Sequence, residues 1–182
     1  MNVLGLYDEK NDRTEGAVMA LADWSRLGGH DARFFDASSL AIKPCLGCFG
    51  CWVKTPGSCV IADEGRDFVE ALYPADLVVI VTRIPFGSYA PSVKRVLDRS
   101  IPVLLPFFTV HEGGMHHIQR GGRRRRLLHV PYGDYGPEEL ETFLGLAQAH
   151  CDNLLSPRAR RRFEYGGEPE TLSSWVAAEV GA

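Results

Sequence analysis

The sequence has no apolar run close to the roughly 20 residues that a membrane-spanning helix needs. It also lacks a strong charge bias: 20 basic against 23 acidic side chains leave a formal charge of −3, with no global pull toward nucleic acid or an anionic membrane. No internal repeat and no low-complexity linker interrupts it. The opening residues, Met1-Asn2-Val3-Leu4-Gly5-Leu6-Tyr7-Asp8, carry neither a basic stretch nor a long apolar one, so no secretory leader is expected. Together these absences exclude a fibre, a disordered tail, a membrane span and a small secreted disulfide scaffold. What remains suits one ordinary domain with a cytoplasmic location: 182 residues, 45% hydrophobic and 24% charged, enough for a real core.

Cysteine is concentrated. Four of the five fall at Cys45, Cys48, Cys51 and Cys59, spaced C-x2-C-x2-C-x7-C. In a reducing compartment structural disulfides are disfavoured, and clustered thiols point to metal or redox work. Cys151 stands apart and reads as a small buried hydrophobe.

Periodicity orders the elements. Asn2 to Leu6 reads as a first strand. Ala17, Val18, Leu21, Ala22, Trp24 and Leu27 recur at helical spacing after a cap at Thr14 or just before it, and Gly28-Gly29 ends the run. Ala32 to Phe35 is a second strand. The cysteine segment follows, too rich in Gly and Pro for regular structure. Asp67 to Leu72 is helical, and Asp76 to Thr82 is a β-branched run suited to a strand buried on both faces of a parallel sheet. Pro91 to Arg99 opens with proline at its first turn, as helices do. Leu127 to Pro131 is a fourth strand. Pro137 to His150 is a helix with Glu138, Glu139 and Glu141 near its positive end. Arg158 to Tyr165 is expected as an edge strand and Pro169 to Val180 as a closing helix. This alternation implies an α/β, doubly wound parallel sheet. Such sheets bind ligands beyond the carboxyl ends of their strands, so Tyr7–Arg13, the cysteine segment, Arg83–Ala90 and Tyr132–Gly136 are expected to share one mouth.

Three segments, in order, resemble one family. Pro44-Cys45-Leu46-Gly47-Cys48-Phe49-Gly50-Cys51-Trp52 through Cys59-Val60-Ile61 and Asp63 resembles the cysteine segment of flavodoxin-fold NAD(P)H-dependent FMN oxidoreductases and their iron–sulfur flavoprotein relatives. Thr82 to Arg99, with Phe86-Gly87-Ser88-Tyr89 and Lys94…Asp98-Arg99, is similar to that family's flavin-ring loop and the helix after it. Leu105-Pro106-Phe107-Phe108 through His116-His117 resembles the long loop that follows. The resemblance covers about Ala41 to Arg120 well and the flanks only in topology.

The resemblance implies a single flavodoxin-like, three-layer domain over 1–182. Its five-stranded sheet would have order 2-1-3-4-5, with a cysteine-rich insertion loop at about 41–60. It implies an FMN-dependent oxidoreductase passing electrons from NAD(P)H to a small quinone-like or protein acceptor, as a homodimer or homotetramer. FMN would be held by Phe86, Gly87, Ser88 and Tyr89 at the ring, by Asn11, Arg13 and Thr14 at the phosphate, and by Gly133 and Asp134 in the third loop. A Gly-Ser loop permits close backbone approach to a flavin, and Phe86, Tyr89 and Tyr132 would give it a flat wall. No general base is implied.

The first loop departs from the family's pattern. Tyr7-Asp8-Glu9-Lys10-Asn11-Asp12-Arg13-Thr14 stands where relatives carry Gly, Ser and Asn around a phosphate, and Asp8, Glu9 and Asp12 would repel a dianion. An alternative is therefore a metal- or Fe–S-binding electron-transfer module of the same fold that has lost flavin. The four cysteines admit a 4Fe–4S cluster, a zinc ion, or neither, as packing or redox-active thiols. His111, Glu112, His116 and His117 read as a polar lid or dimer contact, with a substrate contact or a metal site as the alternatives. Arg120 with Arg123–Arg126, and Arg158 with Arg160–Arg162, read as solvated or edge-protecting charge. A nicotinamide 2′-phosphate is the sharper alternative for the first run; nucleic acid is not expected for want of a reading helix. Asp98-Arg99 reads as a structural ion pair or a partner-helix contact, and Phe107-Phe108 as a contact between subunits.

Overall fold

Strand β3 (Leu77–Thr82) is buried at every position, which is what a strand covered on both faces must be. It pairs in parallel with β1 (Asn2–Tyr7) on one side and β6 (Arg126–Pro131) on the other, and β1 pairs in parallel with β2 (Asp31–Asp36). The sheet order is therefore β2-β1-β3-β6. The structure, a computed structural model, describes residues 1–157 and 163–181.

Side-chain alternation along β3 builds two cores. Val78 and Ile80 join Leu4, Leu6, Phe68, Val93, Val96 and Phe143 on one face, under α3 (Gly65–Leu72), α4 (Pro91–Asp98) and α5 (Pro137–Asn153). Leu77, Val79 and Val81 join Val3, Leu21, Leu128, Leu172 and Trp175 on the other, under α1 (Asp12–Leu27) and α6 (Pro169–Val180). The result is the expected α/β three-layer arrangement. No helix among the described residues is long and apolar enough to cross a membrane.

Three expectations need correction. Among the described residues the parallel sheet has four strands, and the fifth position shrinks to one parallel bridge, Tyr132 to Tyr165, with Tyr165 N–H donating to Pro131 O at 3.0 Å. Gly166-Gly167 and Pro169 leave no room to extend that pairing; residues 158–162 of the expected edge strand lie outside the described residues. The stretch expected as a long loop is instead an antiparallel hairpin, β4 (Leu104–His111) with β5 (Gly114–Gln119). Its turn is Glu112-Gly113, both at positive φ, the geometry that twists a two-residue hairpin correctly. Pro106 hid β4 from the sequence reading; the pairing slips between Leu104 and Phe108, where a proline can sit without donating to the ladder. Finally, the cysteine segment holds one short helix, α2 (Gly50–Val53), entered through Phe49 in the left-handed region.

Candidate functional site

The cysteine segment is tied down at its base. Arg99, 1% exposed at the end of α4, donates Nη1 to Asp63 Oδ2 at 2.9 Å and Nη2 to Asp63 Oδ1 at 2.8 Å. The same guanidinium donates to the carbonyls of Lys43 (2.6 Å) and Ile61 (3.4 Å), so one buried cation clips both ends of the loop. The clip is reinforced by the Lys43 N–H donating to Asp63 Oδ2. Burial pushes the Asp63 carboxyl up, and Arg99 with the N–H groups of Lys43 and Gly65 more than reverses this, holding it below the usual carboxylate range.

Inside that loop, left-handed backbone at Gly47 (φ +62°) and Phe49 (φ +51°) turns the chain tightly. Cys45, Cys48, Cys51 and Cys59 consequently line one cavity of about 810 Å³. Its other walls come from α4 (Lys94, Asp98), α5 (Leu146, His150) and the hairpin (Phe108, His117). Cys45 and Cys48 are exposed, Cys59 is half-buried and Cys51 is buried. Burial pushes the Cys51 thiol up, and the neighbouring Cys59, Cys45 and Cys48 push it further, because thiolates gathered in one cavity repel. Arg99 answers part of that charge. Burial alone would lower its guanidinium, but Asp63 and the Cys59 sulfur hold it above its ordinary value.

An aromatic row links the loop to the hairpin. Phe49 stacks on Trp52 (centroids 4.9 Å apart), Trp52 tilts against His117 (4.9 Å), and His117 stacks on Phe108 (4.4 Å). Trp52 Nε1 donates to Leu104 O at 3.0 Å and fixes the row to β4. The cavity floor is polar: His150 Nδ1 lies 3.1 Å from the Tyr89 hydroxyl and 3.2 Å from His129 Nε2. Burial, then the positive Lys94, pushes His150 down to about 4; burial and His150 push His129 well below its ordinary value.

A second cluster sits where the parallel strands end. Asp8, fully buried, accepts from the Arg83 N–H (2.9 Å), Arg83 Nε (3.2 Å), the Tyr132 hydroxyl (2.7 Å) and the Glu9 N–H (2.9 Å). One carboxylate thus bridges the ends of β1, β3 and β6. Burial, then the hydrogen bond to Asp8, pushes the Tyr132 phenol far up. Asn11 caps α1: its Oδ1 accepts from the N–H groups of Arg13 (3.0 Å) and Thr14 (3.1 Å), and its Nδ2 donates to Tyr132. Thr14 is buried, its hydroxyl donating to Glu9 O at 2.7 Å.

The profile of the NADPH-dependent FMN reductase family matches residues 1–113, through the first loop, the cysteine segment and the hairpin's first strand. The chain belongs to that family. Among curated relatives of this chain, an iron–sulfur flavoprotein of Archaeoglobus fulgidus is 31% identical over 101 residues, 55% of this chain and 49% of that protein. One from Methanocaldococcus jannaschii is 28% identical over 79 residues, 43% of this chain and 40% of that protein. The chain spans about half the length of the curated relatives it matches. Among solved structures, the NAD(P)H:quinone oxidoreductase of Methanothermobacter marburgensis matches 98% of this chain and 96% of its own at TM-score 0.64 and 13% identity. An FMN-dependent NADH-azoreductase of Bacillus anthracis, solved with FMN, matches 98% and 99% at 0.61 and 10%. Those two likenesses speak for the fold.

Within this fold, three of the four loops expected at one mouth do meet: Tyr7–Arg13, Arg83–Ala90 and Tyr132–Gly136 converge on Asp8. The cysteine segment faces its own cavity, which it shares with the side chain of Tyr89. Of the residues expected at a flavin ring, Phe86 is exposed at φ +53°, Ser88 is half-buried, and Gly87 abuts Thr142 of α5. Gly133 is half-buried at φ +101°, and Asp134 and Arg13 are exposed. Tyr89 and Tyr132 lie in the core with their hydroxyls engaged. Among the described residues no three His, Cys, Asp or Glu side chains already converge on a metal position, the histidines of the hairpin included. Sequence reasoning missed Asp8 as a hub and the His129–His150 pair. The signal for Asp8 was its place directly after an all-apolar strand, where a carboxylate needs built-in donors.

Proposed function

We propose that this chain, one flavodoxin-like unit over 1–182 with its cysteine insertion at about 41–60, is an NAD(P)H-dependent flavin oxidoreductase. It passes electrons to a small quinone-like or protein acceptor through a redox centre at Cys45, Cys48, Cys51 and Cys59. The observation that carries this reading is that all four cysteines line one cavity of about 810 Å³. Family membership supplies the redox class, and the quinone oxidoreductase of similar fold supports the acceptor class.

The donor set fits a 4Fe–4S cluster. Four thiolates on one concave loop repel one another until a metal core offsets their charge, and Arg99 is buried beside Cys59 to share that charge. Such a cluster would supply one-electron chemistry. The loop must tighten around it, which its glycines at positions 47 and 50 permit. Zinc would use the same four ligands and is the second reading.

FMN fits less well. The exposed Phe86 and the half-buried Ser88 and Gly133 stand at the strand-end mouth where a ring system would rest, and bound flavin would supply the exchange between hydride and single-electron chemistry. Its phosphate does not fit the start of α1, where Asn11 already takes the N–H groups of Arg13 and Thr14. The chain's own part is to bind NAD(P)H and acceptor, to tie the cysteine segment to the hairpin through the aromatic row, and to hold the base of the loop through Arg99.

The test is anaerobic purification followed by a visible spectrum, acid release of flavin and iron and zinc assays on one sample. Flavin together with about four irons per chain supports the reading. Flavin with neither metal reduces it to a plain flavin reductase, and a colourless protein that takes up neither added flavin nor iron overturns it.

A further inference from the structure

We propose that Asp8 is a built-in anion that closes the start of α1 to phosphate, so that this chain selects flavin by its ring system and not by a 5′-phosphate; the flavin half of this statement rests on the function proposed above. The place itself is where a phosphate is expected on general grounds. Parallel sheets bind ligands beyond their strand ends at the point where strand order reverses, here between β1 and β3, and the helix that follows offers free N–H groups and a positive dipole end.

Most of those offers are already taken up. Asn11 Oδ1 accepts from Arg13 N–H and Thr14 N–H, the first donors a phosphate would use. The Thr14 hydroxyl, a third donor, is committed to Glu9 O and is itself the acceptor of the Asn11 N–H. Of the cations near this mouth, Arg83, on the sheet side, is half-exposed and bound by Asp8 Oδ2 at 3.2 Å and Glu9 Oε1 at 3.0 Å, Lys10 pairs with Glu15, and Arg13 is exposed on the first turn of α1. Ser92, the first-turn hydroxyl of α4, donates to Asp8 O at 2.8 Å. A phosphate arriving here would meet a fully buried carboxylate and Glu9 beside it, with Asp12 on the first turn of α1.

The arrangement also explains itself energetically. A buried carboxylate is tolerated only when its lone pairs are filled. Asp8 has four donors, two from β3's exit residue Arg83, one from β6's exit residue Tyr132 and one from its own neighbour, so the strand ends close around an internal anion instead of around a ligand. Tyr132 completes the ring by accepting from Asn11 Nδ2 at 2.9 Å, which couples the carboxylate to the cap that blocks the helix start. Specificity of this kind works by placing an unfavourable charge against the wrong ligand.

Two measurements decide it. The first is titration of 15N-labelled protein with inorganic phosphate, following the amides of Arg13 and Thr14. They should stay still in the native chain and move in Asp8→Asn, and also, to a smaller extent, in Glu9→Gln, which takes the half-exposed Glu9 charge away from Arg83 and keeps the Glu9 N–H on Asp8. The second is binding of FMN and riboflavin, each by quenching of flavin fluorescence. Affinities within about twofold of each other are expected for the native chain, with a shift of tenfold or more toward FMN in Asp8→Asn, the size expected from removing one close charge at a partly screened site. Native amides of Arg13 and Thr14 that move with phosphate, or a native preference for FMN of tenfold or more that Asp8→Asn does not change, would overturn the proposal. If neither flavin binds either protein, the flavin oxidoreductase reading falls, and the amide titration still decides whether Asp8 closes the phosphate site.

Discussion

Arg99 and Asp63 meet in a two-pronged ion pair at the base of the cysteine loop, guanidinium 1% and carboxylate 10% exposed, while the same guanidinium holds the carbonyls of Lys43 and Ile61. The pair joins two places 36 residues apart and fixes the spacing between the loop's entry and its exit. Removing one partner of a buried pair leaves the other charged and alone, which costs about 3 to 5 kcal/mol. Arg99→Met should therefore lower stability by roughly that amount and raise the rate at which Cys51 is alkylated in the folded protein. Urea melts and timed alkylation with mass detection check both; an unchanged Cys51 rate would mean the loop holds its shape without the clip.

The same pair predicts an acid limb. Asp63 titrates lower in the folded chain than in the unfolded one, so its contribution is fully present above the ordinary carboxylate range and is lost as pH falls through the lowered folded value. Stability measured from about pH 6 to about pH 3 should fall less steeply in Arg99→Met than in the native chain. Parallel slopes would show that Asp63 does not report on Arg99.

The four cysteines predict a metal-linked stability. Anaerobic incubation with ferrous iron and sulfide should load about four irons per chain, and raise the melting temperature, since a ligand that binds only the folded state stabilises it by mass action. Cys51→Ser should abolish loading and leave the unloaded melting temperature almost unchanged, because the thiol there makes no strong hydrogen bond. Iron assay and calorimetry on the same samples check this. Loading that survives the loss of Cys51 would remove it from the ligand set.

Much of the fold was readable because its signals are local. The β-branched run of β3, the caps at Asn11 and Gly28 and the proline openings of α4, α5 and α6 each carry their own reason to form that element. The hairpin was not readable, since Pro106 interrupts the alternation and only the pairing partner, Gly114–Gln119, rescues it. The candidate site divided in the same way. The C-x2-C-x2-C-x7-C spacing exposed the cysteine cavity, whereas the Arg99 clip and the Asp8 hub depend on contacts across 36 and 75 or more residues that no local pattern encodes. The acidity of the first loop was visible, but that Asp8 points inward onto Arg83 and Tyr132 was not.

Gly87 has a role different from the one its loop suggests. It sits at φ +71°, and a Cβ there would lie 2.6 Å from Thr142 Cβ and 3.1 Å from Glu139 O on α5. The loop is also held to that helix by the Phe86 N–H donating to Glu139 Oε1 at 2.9 Å. Gly87→Val should thus cost stability, by about 2 kcal/mol or more for a strained left-handed residue and the clash. Chemical denaturation of the flavin-free protein checks it: a variant as stable as the native chain would show that α5 yields at Thr142.

His150 predicts where the protein becomes acid-sensitive. Its Nδ1 faces the Tyr89 hydroxyl and His129 Nε2, and Lys94 stands near enough to oppose a second positive charge. In the unfolded chain an imidazole takes its proton near pH 6.5, but in the folded chain burial holds His150 down to about 4. Between those values the unfolded state binds a proton that the folded state does not, so stability falls as pH falls and is fully present only above about 6.5. Each pH unit inside that window is worth about 1.4 kcal/mol per histidine, and the loss from His150 ends near its folded value. His129, pushed down by the same burial and by His150 itself, adds to the slope in the same direction. His150→Gln should remove one histidine's share of this slope while keeping a polar partner for Tyr89. Denaturation midpoints at half-unit steps from about pH 7 to about pH 4 measure it. A slope identical in the native chain and in His150→Gln would mean that the imidazole is already solvated in the folded protein, and that the floor of the cysteine cavity is wetter than its packing shows.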